Sequence, residues 1–353
     1  MSFPLSILIV NPGSTSTKLA VWLDGRIADS SVIPHSTEDL RQFGSVWGQF
    51  GFRLELCEEW VAARLDRCDA VVAMGGLLRP VGGGTYTVNE KMLRDARANV
   101  QGEHASNLGC ALAERLAGLF GCPSFVVDPV SVDEFEPLAF YSGHPCIRRR
   151  SLSHALNIHA AARRAAEELN IDLGKSSFIV GHLGGGISIA PVKSGRIIDV
   201  NDAASDGPFS PERTGGLPLQ AFISYAFTRK ASEQELRSLV MGNGGLAAYL
   251  GTNSVLEAEK RVMSGDKIAR EVLEAMAYQI AKEIGAMAAV VKGAVDAVVL
   301  TGSVAGSGLL TGWIAERVRF IAPLLFYPDD NEMNSLARAA VRVLQGTEAA
   351  KEY

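Results

Sequence analysis

The chain repeats itself, and that repeat restricts its possible folds more than any other feature. Ile9 to Asp29 (IVNPGSTSTKLAVWLDGRIAD) lies over Ile179 to Asp199 (IVGHLGGGISIAPVKSGRIID) without a gap at a spacing of 170. Seven positions coincide: Ile9/Ile179, Val10/Val180, Ala20/Ala190, Gly25/Gly195, Arg26/Arg196, Ile27/Ile197 and Asp29/Asp199. Each copy reads as an apolar strand, a Gly/Ser/Thr turn, a second strand, a two-residue turn (Asp24-Gly25; Ser194-Gly195) and a third strand. Further along, DAVVAMGG (Asp69 to Gly76) and DAVVLTGS (Asp296 to Ser303) share Asp, Ala, Val, Val and one Gly. Apolar strands look alike everywhere, but two matches in the same order point to a duplication.

Helical patterns separate these strands. Ser106 to Phe120 and Ala155 to Leu169 read as helices, Ser232 with Glu235 forms a capping box, and Ile268, Val272, Met276, Ile280 and Ile284 recur near the helical period, on one apolar face. Strands followed by helices predict an α/β fold in each half. With 353 residues there is room for two domains, placed at 1–150 and 151–327. The tail, 328–353, carries Met333, Leu336, Ala340 and Leu344 on one face, with Asp330/Asn331 and Gly346 as cap signals. It is expected to be a closing helix packed back on the first domain.

The charge balance excludes some partners. Lys plus Arg is 34 against 39 Asp plus Glu, a net charge of −5, so no basic excess exists to neutralise a nucleic-acid backbone or an anionic membrane. The five cysteines are odd in number and nowhere spaced CxxC, which suggests neither a disulfide framework nor a zinc site. The opening run MSFPLSILIVN has no charged leader, and no stretch is long and apolar enough for a membrane span. A cytoplasmic protein is expected.

Three turns are suited to phosphate. NPGSTSTK offers Asn11, Ser14, Ser16 and Lys18 between two strands; HLGGGIS offers His182, Gly184, Gly185 and Gly186 in the equivalent turn; TGSVAGSG, with Gly302 and Gly306, precedes a helix. Taken singly, each is better read as an ordinary glycine turn; together they favour a nucleotide. NPGSTSTK lacks the Walker spacing and leads into a strand. The one GxGxxA, GNGGLA, follows a helical pattern, the wrong context for a dinucleotide fold.

Taken in order, NPGSTSTK, GEHASN, FVVDPVSVDE, SHALN, HLGGGIS, RIIDVNDA, DGPFSPERTGGLP, GNGGLAAYLGT, AMAYQIAK, VDAVVLTG and NEM resemble the butyrate kinases of the acetokinase family, nearly end to end. The resemblance implies two duplicated ribonuclease H-like, actin-like ATPase domains with a nucleotide cleft between them, ATP/ADP and Mg²⁺ as cofactors, and a homo-oligomer. It implies the reaction butanoate + ATP ⇌ butanoyl phosphate + ADP. A propionate, isobutyrate or acetate kinase, and a catalytically weakened nucleotide-binding relative, remain alternatives; a sugar kinase rests on fold analogy alone.

By the same resemblance Arg213 falls on the arginine at the transferring phosphoryl group, His154 on a histidine that donates to it, and His104, beside Asn107, on another active-site position. Asp128 ends an apolar strand and is the expected Mg²⁺ ligand through water, with Glu332, Asp199 and Asp202 as weaker candidates. Met74 stands where these kinases carry an arginine before Gly-Gly, Ser153 where they carry an aromatic, and Gly306 where acetate kinases carry a glutamate. Arg79, five residues beyond Met74, is the candidate replacement; with Ser153 and Met74 it completes the expected substrate pocket.

Overall fold

The computed structural model describes residues 5–329 and 332–353. The chain divides into two compact units, Met1–Asp133 with Asn331–Tyr353 and Glu134–Asp330.

In the first unit β1 (Ser6–Pro12), β2 (Ser16–Leu23) and β3 (Arg26–Pro34) form an antiparallel meander. β4 (Ala70–Met74) runs parallel to β1, β5 (Thr85–Thr87) is antiparallel to β6, and β6 (Ser124–Val127) is parallel to β4, giving the order β3-β2-β1-β4-β6-β5. β4 is apolar and wholly buried, as a strand covered on both faces must be. One core joins Leu8, Val10, Leu19 and Val71 to Leu108, Leu112 and Leu116 of the helical segment 105–120. The helix Glu332–Leu344 packs on β1 and β4 of the same unit through Met333, Leu336 and Ala340. Asp330 and Asn331, expected as its cap, lie outside the described residues.

The second unit repeats the plan. β7 (Ser177–Leu183), β8 (Ile187–Lys193) and β9 (Arg196–Ile197) are the meander, and β10 (Ala297–Thr301) and β11 (Leu324–Tyr327) add parallel strands in the order β11-β10-β7-β8-β9. Both hairpin turns have positive φ at each central residue, Asp24 (44°) with Gly25 (99°) and Ser194 (51°) with Gly195 (76°). That is the tight turn whose twist matches the flanking strands. The expected helix Ala155–Leu169 and the Ser232/Glu235 capping box are present. Ile268 is a correction: it is 63% exposed on the helix Lys267–Val290, whose buried face carries Val272, Met276, Ile280 and Ile284. A row of every fourth residue drifts by about 40° per step on a helix of 3.6 residues per turn, so its first member leaves the face.

The duplication holds with one slip. Asp69 Oδ2 accepts the Ser6 N–H at 2.7 Å while Asp69 N–H donates to the Ser6 carbonyl at 2.8 Å. Asp296 and Ser177 make the same reciprocal pair, both bonds at 2.8 Å. These clasps equate β1 with β7 at a spacing of 177 − 6 = 171, whereas β2 and β8 match at 193 − 23 = 170. The turn between the strands is one residue shorter in the second unit, so Ile9/Ile179 and Val10/Val180 are identities out of register. His182 occupies the place of Asn11.

Residues 134–150 belong with the second unit. Glu134 accepts the Ile197 N–H at 2.8 Å, Glu136 N–H donates to the Ile198 carbonyl at 2.9 Å, and Arg149 pairs with Asp199 at 2.9 Å. No helix among the described residues is long and apolar enough to cross a membrane.

Candidate active site

In the second unit the chain brings Arg213, His154, His182 and the glycine turn together. Arg213 follows a loop whose Ser210 hydroxyl accepts the Arg213 N–H at 3.1 Å and donates to the Gly185 carbonyl at 2.5 Å. Its guanidinium lies against Gly186, where a Cβ would come within 2.6 Å of Cζ; only glycine leaves that space. Nη1 donates to the Ala203 carbonyl at 2.9 Å, and Nε is buried without a partner among the described residues. Burial lowers the guanidinium's basicity, which Glu212 and Asp202 partly restore, and it stays charged because it starts far above neutrality.

His154 immediately precedes the helix Ala155–Leu169 without a side-chain cap bond to it, and its ring stacks on His182. Its Nδ1 lies 2.9 Å from Ser188 Oγ. Burial, with Arg213 beside it, pushes His182 down to about 4. His154 is driven well below the ordinary imidazole range by burial, then by His182 and Arg213. Both rings are neutral at pH 7. Ser153, next to His154, keeps its hydroxyl buried without a partner among the described residues.

Beside this cluster a cavity of about 470 Å³ is lined by Gly185, Glu212, Asn253, Glu259, Gly306 and Ser307 among others. Ser307 caps the helix Gly308–Val318, accepting the Leu310 N–H at 3.0 Å and donating to Glu259 at 2.5 Å. Gly302, with φ of 89°, turns the chain out of β10 toward this helix. The third glycine turn is thus built into a cavity wall.

In the first unit Asn11, one residue before the end of β1, donates to Glu332 Oε2 at 2.8 Å. Ser14 lies in the following turn, Ser16 begins β2, and Lys18 is exposed on β2 opposite Asn11. Asp128 stands just past β6 with φ of 36°, a left-handed conformation unusual for a residue preceding proline. A reciprocal pair fixes it there: Gly84 N–H donates to Asp128 Oδ1 at 2.7 Å, and Asp128 N–H to the Gly84 carbonyl at 3.0 Å.

Other candidates are occupied differently. His104 accepts the Ser106 N–H at 3.2 Å and caps the turn Ala105–Leu108. Asn107 is buried, accepting from Leu77 N–H and donating to Asn99 and the Gly102 carbonyl. Asp199 is paired with Arg149 and Asp202 with Arg150. Met74 is buried at the end of β4. Arg79 pairs with Asp95 at 2.6 Å instead of reaching back toward Met74. Sequence reading missed Arg53, a wholly buried cation beneath the Gly13–Ser16 turn, which carries no motif.

The sequence pattern of the acetokinase family matches residues 137–351. A probable butyrate kinase of Listeria innocua is 47% identical over 351 residues, 98% of this chain and 99% of that one. Butyrate kinase 2 of Clostridium acetobutylicum is 45% identical over the same shares. The chain belongs to the acetokinase family. Among solved structures it is similar to Porphyromonas gingivalis acetate kinase, with a TM-score of 0.80, 17% identity, and 96% of this chain and 100% of that one covered. A propionate kinase from Francisella tularensis follows at a TM-score of 0.74, 18% identity, and 95% and 98% covered. The chain therefore shares the fold of these kinases, and the repeated plan of one α/β domain in each unit is consistent with a duplicated actin-like ATPase fold. As an acetokinase, the chain is a carboxylate kinase, a phosphotransferase.

Donors for a metal fit a sparse site. Among the described residues no three or more His, Cys, Asp or Glu side chains gather as a cage. Asp128, held by Gly84, and Glu332, held by Asn11, are single carboxylates in the first unit. That fits Mg²⁺, which keeps several waters and takes one or two carboxylates together with substrate phosphates.

Proposed function

We propose that this chain catalyses butanoate + ATP ⇌ butanoyl phosphate + ADP by direct in-line transfer. A carboxylate oxygen forms a bond to the γ-phosphorus, the bond from that phosphorus to the β,γ-bridging oxygen breaks, and ADP leaves with the electron pair. No proton moves, because a short-chain acid, with a pKa near the ~4.3 of a glutamate side chain, is already ionised. The barrier is the approach of an anion to a polyanion, so catalysis rests on positioning and charge neutralisation.

The observation that carries this reading is the seat of Arg213: a charged fork against Gly186, one nitrogen buried and unpartnered among the described residues, beside two neutral imidazoles. A planar fork of this kind binds two phosphoryl oxygens at once. We assign His154 the tautomer in which Nδ1 accepts from the Ser188 hydroxyl 2.9 Å away and Nε2–H donates to the phosphoryl group. Neutral rings suit the role, since they donate without needing a proton from solution. Asn11, Ser14, Ser16, Lys18 and the turn Gly184–Gly186 are assigned to phosphate oxygens, and the 470 Å³ cavity beside Gly185 to the nucleoside. Asp128 and Glu332 would hold Mg²⁺ through water, which supplies charge neutralisation at the phosphates. Identity near 47% over the whole length supports butanoate as the acid.

The test is a hydroxylamine trap. Purified protein with ATP, Mg²⁺ and hydroxylamine is expected to form acyl hydroxamate from butanoate or isobutanoate faster than from acetate. No hydroxamate from any linear or branched acid of two to five carbons would reject the reading.

A further inference from the structure

Arg53 sits on the helix Phe50–Ala62 with no exposed surface, and among the described residues no carboxylate pairs with it. An unpaired buried charge is costly, so its surroundings should show what compensates it. Nη1 donates to the carbonyls of Gly13 at 2.9 Å and Ser16 at 3.2 Å and to Thr17 Oγ1 at 3.1 Å. Nη2 donates to the Ser14 carbonyl at 3.4 Å and to Gln49 Oε1 at 2.9 Å, and Nε to the same Gln49 oxygen at 3.1 Å. The remaining carbonyl of the turn, Thr15, is taken by the His35 N–H at 2.8 Å.

Every acceptor on the Gly13–Ser16 backbone is thus occupied from within. The donors are not. Among the described residues, the amides of Ser14 and Thr15 and the hydroxyls of Ser14, Thr15 and Ser16 have no partner, and Ser14 and Thr15 are exposed. A turn whose free backbone groups are all donors, flanked by hydroxyls that can donate, over a buried cation lacking a counter-charge, is a seat for an anion.

We propose that Arg53 is a positioning residue for phosphate at the Gly13–Ser16 turn: its fork draws the carbonyls inward so that the amides and hydroxyls face the ligand, and its charge adds attraction from below. This rests on the phosphate role given to the turn above. The same fork ties helix to hairpin, so a loss of stability alone would be uninformative, and the test must compare two ligands on one protein.

The test is calorimetric titration of the full chain with tripolyphosphate, which probes the phosphate turns, and with adenosine, which probes the nucleoside cavity of the other unit. Arg53→Lys keeps the charge and loses the fork. It is expected to bind tripolyphosphate about tenfold more weakly, the loss of a charge-assisted hydrogen bond, with adenosine affinity within about twofold of the parent. Gln49→Glu keeps both hydrogen bonds to Arg53 and supplies the missing counter-charge, so it folds even where Arg53→Lys does not. It is expected to resist heat better and yet bind tripolyphosphate several-fold more weakly. Parental tripolyphosphate affinity in a folded variant of either kind, or an equal loss for both ligands, overturns the proposal while leaving the kinase reading intact. A parent chain that binds neither ATP nor tripolyphosphate overturns both.

Discussion

His154 and His182 lie face to face, ring centroids 4.2 Å apart and planes 25° off parallel, and neither ring is protonated at neutral pH. Two stacked imidazoles beside a guanidinium cannot easily take on a further positive charge. Their neutral state is a consequence of burial and of Arg213, and it makes the fold sensitive to acid.

In the unfolded chain a histidine takes up a proton near 6.5, whereas folded His182 resists down to about 4. Between those values the unfolded state binds more protons, so stability falls as the pH drops through that window. His154 and His35, also lowered chiefly by burial, act in the same direction. Urea unfolding is expected to show His182 alone accounting for up to about 3 kcal/mol of loss across the window. His182→Gln should flatten the slope; an equally steep fall in that variant would contradict the assignment.

Gly186→Ala separates activity from stability. The added Cβ meets the far end of the Arg213 side chain, which can swing aside, so the melting temperature should shift by only a few degrees. The guanidinium, displaced by about an ångström, should lose its alignment with the phosphoryl group at a cost of about 100-fold in kcat. Unchanged kcat in a folded variant would remove the contact from the account.

Arg213→Lys keeps a positive charge but not the planar fork. Turnover is expected to fall by about 100-fold to 1000-fold, the range for removing one preorganised donor from an anionic transition state, while nucleotide affinity stays near that of the parent. Steady-state kinetics with calorimetric nucleotide binding makes the comparison, and near-normal turnover would exclude the role.

What could be read from the sequence was whatever local chemistry imposes. Asp24-Gly25 and Ser194-Gly195 announce their hairpins because few residues tolerate two successive positive φ angles. Ala155–Leu169 announces itself by periodicity. Distant pairings stayed hidden. Arg79 has an apparent route back toward Met74 until Asp95, 16 residues on, is seen to hold it. Arg53 reaches carbonyls some 40 residues earlier, and backbone acceptors leave no trace in residue identity. The repeat itself misled by one position, because the chance identities Ile9/Ile179 and Val10/Val180 hide a turn shortened by one residue. Only the matching clasps of Ser6 with Asp69 and Ser177 with Asp296 set the register.

The reverse reaction tests the central claim most directly: ATP formation from ADP and an acyl phosphate in the presence of Mg²⁺, followed by coupled luminescence with butanoyl phosphate and acetyl phosphate in parallel. The account predicts ATP from butanoyl phosphate with the higher kcat/KM of the two, and little from either in Arg213→Lys. No ATP from butanoyl phosphate, or ATP from acetyl phosphate alone, would contradict it.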